Sequence, residues 1–366
     1  MEYPMATNCN WGILGTANIA RKNWKAMQVA ENATLVAVAS RAAAKAQAFI
    51  DECQSEAPFA KAPEAVGSYE ALLARKDIDA VYIPLPTGIR KEWVVKAAKA
   101  GKHVLCEKPC GGSAADLKEM IDACAANKVQ FMDGVMFMHS ARLPLLRKVL
   151  DDGTSVGDVR RITSQFSFAA PEEFRKGNIR VNPALEPLGA LGDLGWYNVR
   201  FALWTMKTEL PKSVTGRMIA EHSGVPIEFS GELVFANGVT SAFYCSFQTE
   251  LQEWGHISGT KGGVTLNDFV IPFYGAEVAF TVDQQVFHQK GCTFHFRSHP
   301  TRYAIQEYSE AMPAAQEVNM IRTFSNLAKS GKPDPVWGEW AMNTQKVLDA
   351  CLASARNGGA AVDLGY

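Results

Sequence analysis

The stretch HVLCEKPCGG, residues 103–112, runs from an apolar segment straight into a carboxylate, an ammonium and a proline. Val104, Leu105 and Cys106 read as a buried strand, and Glu107, Lys108 and Pro109 end it. Proline stops strand pairing because it has no N–H to donate. Charge at a buried strand end is costly unless it is paired or used. In open α/β sheets, ligands sit outside the carboxyl ends of the strands. A second set lies in LGALGDLGWY, residues 188–197, where Asp193 and Tyr197 are spaced to share one helix face. A lysine, a tyrosine and a carboxylate are all groups that can hold or move a proton. The plainer readings are a capped strand end with a surface Glu/Lys pair, and a helix with a core tyrosine and a solvated aspartate.

A third feature is the loop GILGTANIAR. Gly15, Ala17 and Ala20 occupy the three small-residue positions of the G-x-G-x-x-G/A spacing, between a strand and a helix. The first makes a tight turn, the second admits a pyrophosphate, and the third lets helix and strand pack closely. The helix opening at Asn18 and Ile19 then faces phosphate with its N-terminus. Alanine at the second position crowds that approach. At the end of the next strand, Val38-Ala39-Ser40-Arg41, no acid is present to bind a ribose 2′-OH. Ser40 and Arg41 suit a 2′-phosphate instead, so NADP(H) is preferred over NAD(H).

The elements that must position these residues follow from periodicity. Apolar strands at TLVAVASR (34–41), DAVYIPLP (79–86), HVLCEK and VQFMDG (129–134) alternate with helical stretches. That alternation predicts a doubly wound parallel sheet, a Rossmann domain over residues 1–134. Ser113 and Asp116 have the capping-box spacing for the helix SAADLKEMIDACAANK. From 135 to 366 the style changes. MFMHSARLPLLRKVLDDG reads as one helix, and GDLGWYNVRFALWTM as another. Between and beyond them lie strand-like segments, with an Asn237-Gly238 hairpin signal. This predicts a substrate domain with a large, open, mostly antiparallel sheet. Two helices, near 313–330 and 338–357, close the chain, and the last is expected against the first domain.

Bulk properties agree with a globular protein of two domains. The chain has 366 residues, 47% hydrophobic and 20% charged, with a formal net charge of −1. No polybasic field argues for nucleic acid or an anionic membrane. No apolar run approaches the ~20 residues of a membrane span. MEYPMATNCN lacks the features of a signal peptide, and eight scattered cysteines suit free thiols in a reducing cytosol. Cys292, His295 and His299 have ligand-like spacing but no nearby carboxylate, so no metal is expected.

The Gly-loop, VASR, VYIPLPT (81–87), AGKHVLCEKP (100–109) and LGALGDLGWY resemble, in order and over almost the whole chain, the Gfo/Idh/MocA oxidoreductase family. EKP is the most specific of these motifs. The likeness is greatest to the dihydrodiol and xylose dehydrogenase branch, and within it to plant-type members. The resemblance implies that Lys108 sits beside a nicotinamide, with the Lys108–Pro109 bond cis. It implies cofactor contacts from Pro84, Pro86, Thr87, Glu107 and Pro109, and places Glu107 at a cofactor ribose. It also implies a pairing of Lys108 with Tyr197, the lysine polarising an oxygen and favouring the phenolate, with Asp193 orienting the lysine or a hydroxyl. Which of Lys108 and Tyr197 is the formal acid/base stays open. His139 and Arg180 are weaker substrate-side candidates. The family often has a histidine where Arg90 stands, and a surface helix start is the reading preferred for that arginine. A homodimer through the open sheet is implied by the same resemblance. The expected function is hydride transfer at a sugar, sugar derivative or cyclic diol. The rivals are a dinucleotide-binding sensor and a hydrolase or epimerase that keeps its cofactor bound.

Overall fold

A computed structural model describes residues 8–309 and 312–365. The N-terminal MEYPMAT, read above for a leader, lies outside them. The chain divides into two compact units, one of residues 1–139, 182–187 and 310–346, the other of 140–181, 188–309 and 347–366.

The first unit opens with β1 (Cys9–Leu14), α1 (Asn18–Val29), β2 (Ala33–Ala39), α2 (Ala43–Glu56) and β3 (Glu64–Val66). It continues with α3 (Tyr69–Leu73), β4 (Ala80–Ile83), α4 (Thr87–Lys99), β5 (His103–Cys106), α5 (Ala114–Ala126) and β6 (Phe131–Asp133). The six strands are parallel, in the order β3-β2-β1-β4-β5-β6, the doubly wound arrangement the alternation predicts. Register pairs Leu14 with Ala39 and Ile83 with Cys106. The residues that follow these strand ends, Gly15, Ser40, Pro84 and Glu107, therefore leave along one edge of the sheet. The helices form where the pattern placed them. On α1, Ala20, Asn23, Trp24 and Met27 are buried at helical spacing. Ser113 caps α5 by accepting from the Asp116 N–H at 3.2 Å.

The second unit contains α6 (Arg142–Asp151), β7 (Val159–Ser167), α7 (Glu172–Gly177), α8 (Gly189–Asp193) and α9 (Gly195–Thr205). Strands β8 (Ser213–His222), β9 (Val225–Val234), β10 (Thr240–Ser246), β11 (Gln252–Gly259), β12 (Gly263–Leu266) and β13 (Glu277–Asp283) follow. Next come β14 (Val286–Lys290), β15 (Thr293–Arg297) and β16 (Pro300–Gln306). After α10 (Gln316–Lys329) and α11 (Val336–Arg356), β17 (Val362–Asp363) joins the sheet beside β8. The sheet has nine strands, antiparallel except for β7 with β10. The hairpin signal is met: Asn237 and Gly238 lie in the turn between β9 and β10, with Gly238 at φ +82°.

Two helices expected to be continuous are broken. The stretch from 135 to 152 divides into a 3₁₀ turn, Met136–His139, and α6. The break is held by Glu307, whose carboxylate accepts from the Ala141 N–H at 2.6 Å and the Ser140 hydroxyl at 3.0 Å. The stretch from 189 to 205 divides at Leu194 into α8 and α9. There the Tyr197 N–H turns to the Leu194 carbonyl, a tightened 3₁₀-type bond.

α10 belongs to the first unit and returns to its core. The Trp11 indole lies tilted against Phe324 with ring centroids 4.9 Å apart, and its N–H donates to Ser325 Oγ at 3.1 Å. Burying each of these rings stabilises the fold by roughly 1.5–3 kcal/mol. The Gly15 and Lys108 turns described below are thus carried on a sheet with a well-filled core.

Candidate active site

The turn after β1 requires its glycine. Gly15 has φ +107°, and a Cβ there would stand 2.9 Å from Leu85 Cδ2. Its N–H donates to the Ala39 carbonyl at 2.8 Å, which ties the β1 turn to the β2 tip. Ala17 has extended backbone at the N-cap of α1, no side chain caps that helix, and its first turn holds no acid. Asn18 and Ile19 are exposed there, while Ala20 is fully buried against the sheet. A tight glycine turn, small flanking residues and free-facing helix N–H groups fit a dinucleotide pyrophosphate. At the β2 tip Ser40 is buried and Arg41 is exposed. Tyr69 joins this rim: its hydroxyl lies 3.9 Å from the place a Gly15 Cβ would take, and Arg41 acts on its pKa electrostatically. Burial dominates and raises that pKa. The sequence singled out no role for Tyr69.

The β5 tip explains the opening motif, and Glu107, expected at a cofactor ribose, is held by the protein. It is buried, one oxygen accepting from the Tyr82 hydroxyl at 2.6 Å and the other from the Lys108 N–H at 3.1 Å. Burial raises its pKa above the usual carboxylate value, and the Lys108 ammonium opposes that rise. Glu107 thus braces the backbone from which Lys108 departs. Lys108 itself is half-buried, and the Lys108–Pro109 bond is cis as expected.

Arg90 corrects an expectation. It is not a surface helix start but is 3% exposed, on the inner face of α4 with Thr87, Val94, Ala97 and Ala98. Its Nε donates to the Leu85 carbonyl at 2.8 Å and its Nη1 to the Glu107 carbonyl at 2.9 Å. Further bonds run to the Pro109 carbonyl and again to Leu85. The 3-4-3 spacing from Thr87 through Arg90 and Val94 to Ala97 carried this signal in the sequence. Thr87, expected at the cofactor, is also occupied by protein: Glu186 accepts from its N–H at 3.1 Å and its hydroxyl at 2.5 Å. A carboxylate at the start of α4 matches the positive end of the helix dipole. Pro84 and Pro86 carry the chain between these fixed points, with Pro84 buried and Pro86 half-buried.

In the second unit, Asp193 ends α8 and Tyr197 lies in the first turn of α9. Arg180 Nε lies 2.7 Å from Asp193 Oδ2, so two of the expected residues meet. The Tyr197 ring is buried edge-on to Phe166 at 5.5 Å. His139, by contrast, lies flat on Trp337 at 4.8 Å, which is a packing contact. Cys292, His295 and His299 form no metal cluster, and none of three or more ligand-type residues occurs among the described residues.

Comparison with known proteins bears on this arrangement. Residues 9–135 match the oxidoreductase family with an NAD-binding Rossmann fold, and residues 145–265 match the GFO/IDH/MocA C-terminal domain. A D-xylose 1-dehydrogenase (NADP(+)) of Haloferax volcanii is 33% identical over 97% of this chain and 99% of its own. The chain belongs to the Gfo/Idh/MocA oxidoreductase family. A trans-1,2-dihydrobenzene-1,2-diol dehydrogenase of Mus musculus is 30% identical over 69% of this chain and 72% of its own. Among solved structures, a 3-ketoreductase from Actinomadura kijaniata, in complex with NADP and TDP-benzene, superposes with a TM-score of 0.81. It is 23% identical over 95% of this chain and 98% of its own, a likeness of fold. In this member of the Gfo/Idh/MocA family, Arg90 is a buried guanidinium.

Proposed function

We propose that the protein is an NADP(H)-dependent oxidoreductase acting on a secondary alcohol or carbonyl of a sugar, sugar derivative or cyclic diol. The observation that carries this reading is the braced Lys108 at the β5 tip, on the same sheet edge as the Gly15 turn. Gly15, Ala17, Asn18 and Ile19 would hold the pyrophosphate, and Ser40 and Arg41 the 2′-phosphate. The relatives, an NADP(+) xylose dehydrogenase and a dihydrodiol dehydrogenase, support the cofactor and the substrate class.

When bound, the nicotinamide supplies the hydride acceptor or donor. The chain's own residues handle the proton. In oxidation, a base must take the hydroxyl proton as the carbon loses hydride; in reduction, an acid must return it. Tyr197 exchanges that proton at its phenol oxygen. Lys108 polarises the substrate oxygen, and a cation brought beside the phenol would favour the phenolate. Asp193, aligned by Arg180, accepts from a neighbouring substrate hydroxyl. We further propose a cytoplasmic enzyme whose open sheet is covered by a second copy, which light scattering of the purified protein would check.

The test is a turnover screen at 340 nm, offering NADP⁺ and NAD⁺ with aldoses, anhydrosugars and cyclic diols, and NADPH and NADH with the matching ketones. Turnover favouring the phosphorylated cofactor is expected, with Lys108→Ala slowing it by about 10²–10⁴-fold while NADPH still binds. Full turnover in that variant would sink the assignment. Silence of the wild-type protein across the panel, with NADPH bound, would favour the sensor reading.

A further inference from the structure

Arg90 lies just inside α4, and its side chain points back toward the helix start, as helical side chains do. It meets two different chain turns there. The Leu85 carbonyl, at the β4 tip, accepts from Nε at 2.8 Å and also from Nη2. The Glu107 carbonyl accepts from Nη1 at 2.9 Å, and the Pro109 carbonyl accepts from the same nitrogen. Thr87 Oγ1 lies 3.3 Å from Nη1.

These acceptors flank Lys108. The peptide unit entering Lys108 is held at both polar atoms, its C=O by Arg90 and its N–H by Glu107 Oε2. The peptide carbonyl that follows Pro109 is held by Arg90 again. A planar guanidinium suits the task, because its five N–H groups diverge in fixed directions and its charge never titrates in the working range. A lysine presents one rotating nitrogen and an imidazole at most two donors.

We propose that Arg90 is a positioning residue for Lys108: it locks the turn that carries the lysine to the turn that carries Pro86 and Thr87. This rests on the reading of Lys108 as the residue at the reacting oxygen. Arg90 reaches Lys108 through the backbone, so it should govern kcat more than affinity. Displacing a catalytic group by about 1 Å can cost on the order of 10²-fold in rate.

The experiment compares wild type, Arg90→Met and Arg90→Lys. It measures the melting temperature, the NADPH dissociation constant by fluorescence titration, and kcat and KM with the best substrate of the screen. For folded Arg90→Met, kcat is expected to fall by about 10²-fold. The NADPH dissociation constant and the substrate KM should stay within about threefold. Arg90→Lys should fall in between. Methylguanidine added to Arg90→Met should restore part of kcat without changing the NADPH constant. Should Arg90→Met fail to fold, Arg90→Lys carries the test, with a kcat loss of about tenfold expected at near-native affinity. A variant with a lowered melting temperature but wild-type kcat per folded molecule would overturn the proposal, leaving Arg90 a structural residue. If wild type itself turns over nothing, the functional reading fails separately. The emission maximum of bound NADPH then decides for Arg90: a shift in Arg90→Met at unchanged affinity supports the proposal, and an identical spectrum overturns it.

Discussion

Arg180 Nε and Asp193 Oδ2 are 2.7 Å apart, and the two sides of this pair differ in exposure: the arginine side chain is 42% exposed, the aspartate 14%. An exposed ion pair contributes little to stability, about 0–1 kcal/mol. Its value here is directional. The arginine holds one carboxylate oxygen and thereby aims the other. Replacing Arg180 with methionine should leave the melting temperature nearly unchanged. It should lower kcat/KM by about tenfold, the worth of ~1.4 kcal/mol of transition-state binding. Initial rates with the best substrate check this; an unaltered kcat/KM would assign the pair to the surface.

Arg41 offers a sharper test of cofactor choice. It is exposed at the β2 tip, where no acid stands to repel a 2′-phosphate. Arg41→Ala should weaken NADPH binding by about tenfold and NADH binding by much less, since a charge-assisted contact is lost for one ligand only. The NADPH constant of wild type should also be the more sensitive to salt. Equal losses for both cofactors would remove Arg41 from the phosphate site.

Glu107 predicts a pH effect on stability. Burial raises its folded pKa above the ordinary 4.5, so the folded protein binds this proton more tightly than the unfolded chain. The stabilisation is therefore complete below pH 4.5 and is lost as pH rises through the raised folded value. Glu107→Gln cannot lose a proton. Its amide oxygen can still accept from Tyr82, although the Lys108 N–H loses its acceptor. The melting temperature of Glu107→Gln minus that of wild type should increase with pH above 4.5, measured by calorimetry from pH 4 to 8. A difference that stays flat across that range would mean Glu107 is ionised at ordinary cost.

The thiols give a test of the whole fold. Seven of the eight cysteines are buried, and only Cys292, between β14 and β15, is exposed. Burial pushes the Cys9, Cys124 and Cys351 thiols up to about 12, far from thiolate at neutral pH. Ellman's reagent should label about one thiol per native chain and eight after denaturation. Rapid labelling of several native thiols would contradict the packing described here.

The sequence by itself determined the parts whose cause is local. Alternating apolar strands and amphipathic helices imposed the parallel sheet, because period and length are written in consecutive residues. Gly15 was legible because a tight turn at positive φ has one cheap solution, and Ser113 because a cap needs a hydroxyl at one spacing. Lys108 stood out because an ammonium at a buried strand end needs a reason. What the sequence could not decide was which polar groups would meet across distant segments. Glu107, expected at a cofactor ribose, also meets Tyr82 from the adjacent strand. Thr87, expected at the cofactor, donates its hydroxyl to Glu186, almost a hundred residues on. Arg90 looked like solvent-facing charge, although its helical spacing lay on the buried face. Glu307 broke a helix whose own pattern ran on without interruption. In each case a buried polar group had to find a partner, and only the tertiary structure chose which one.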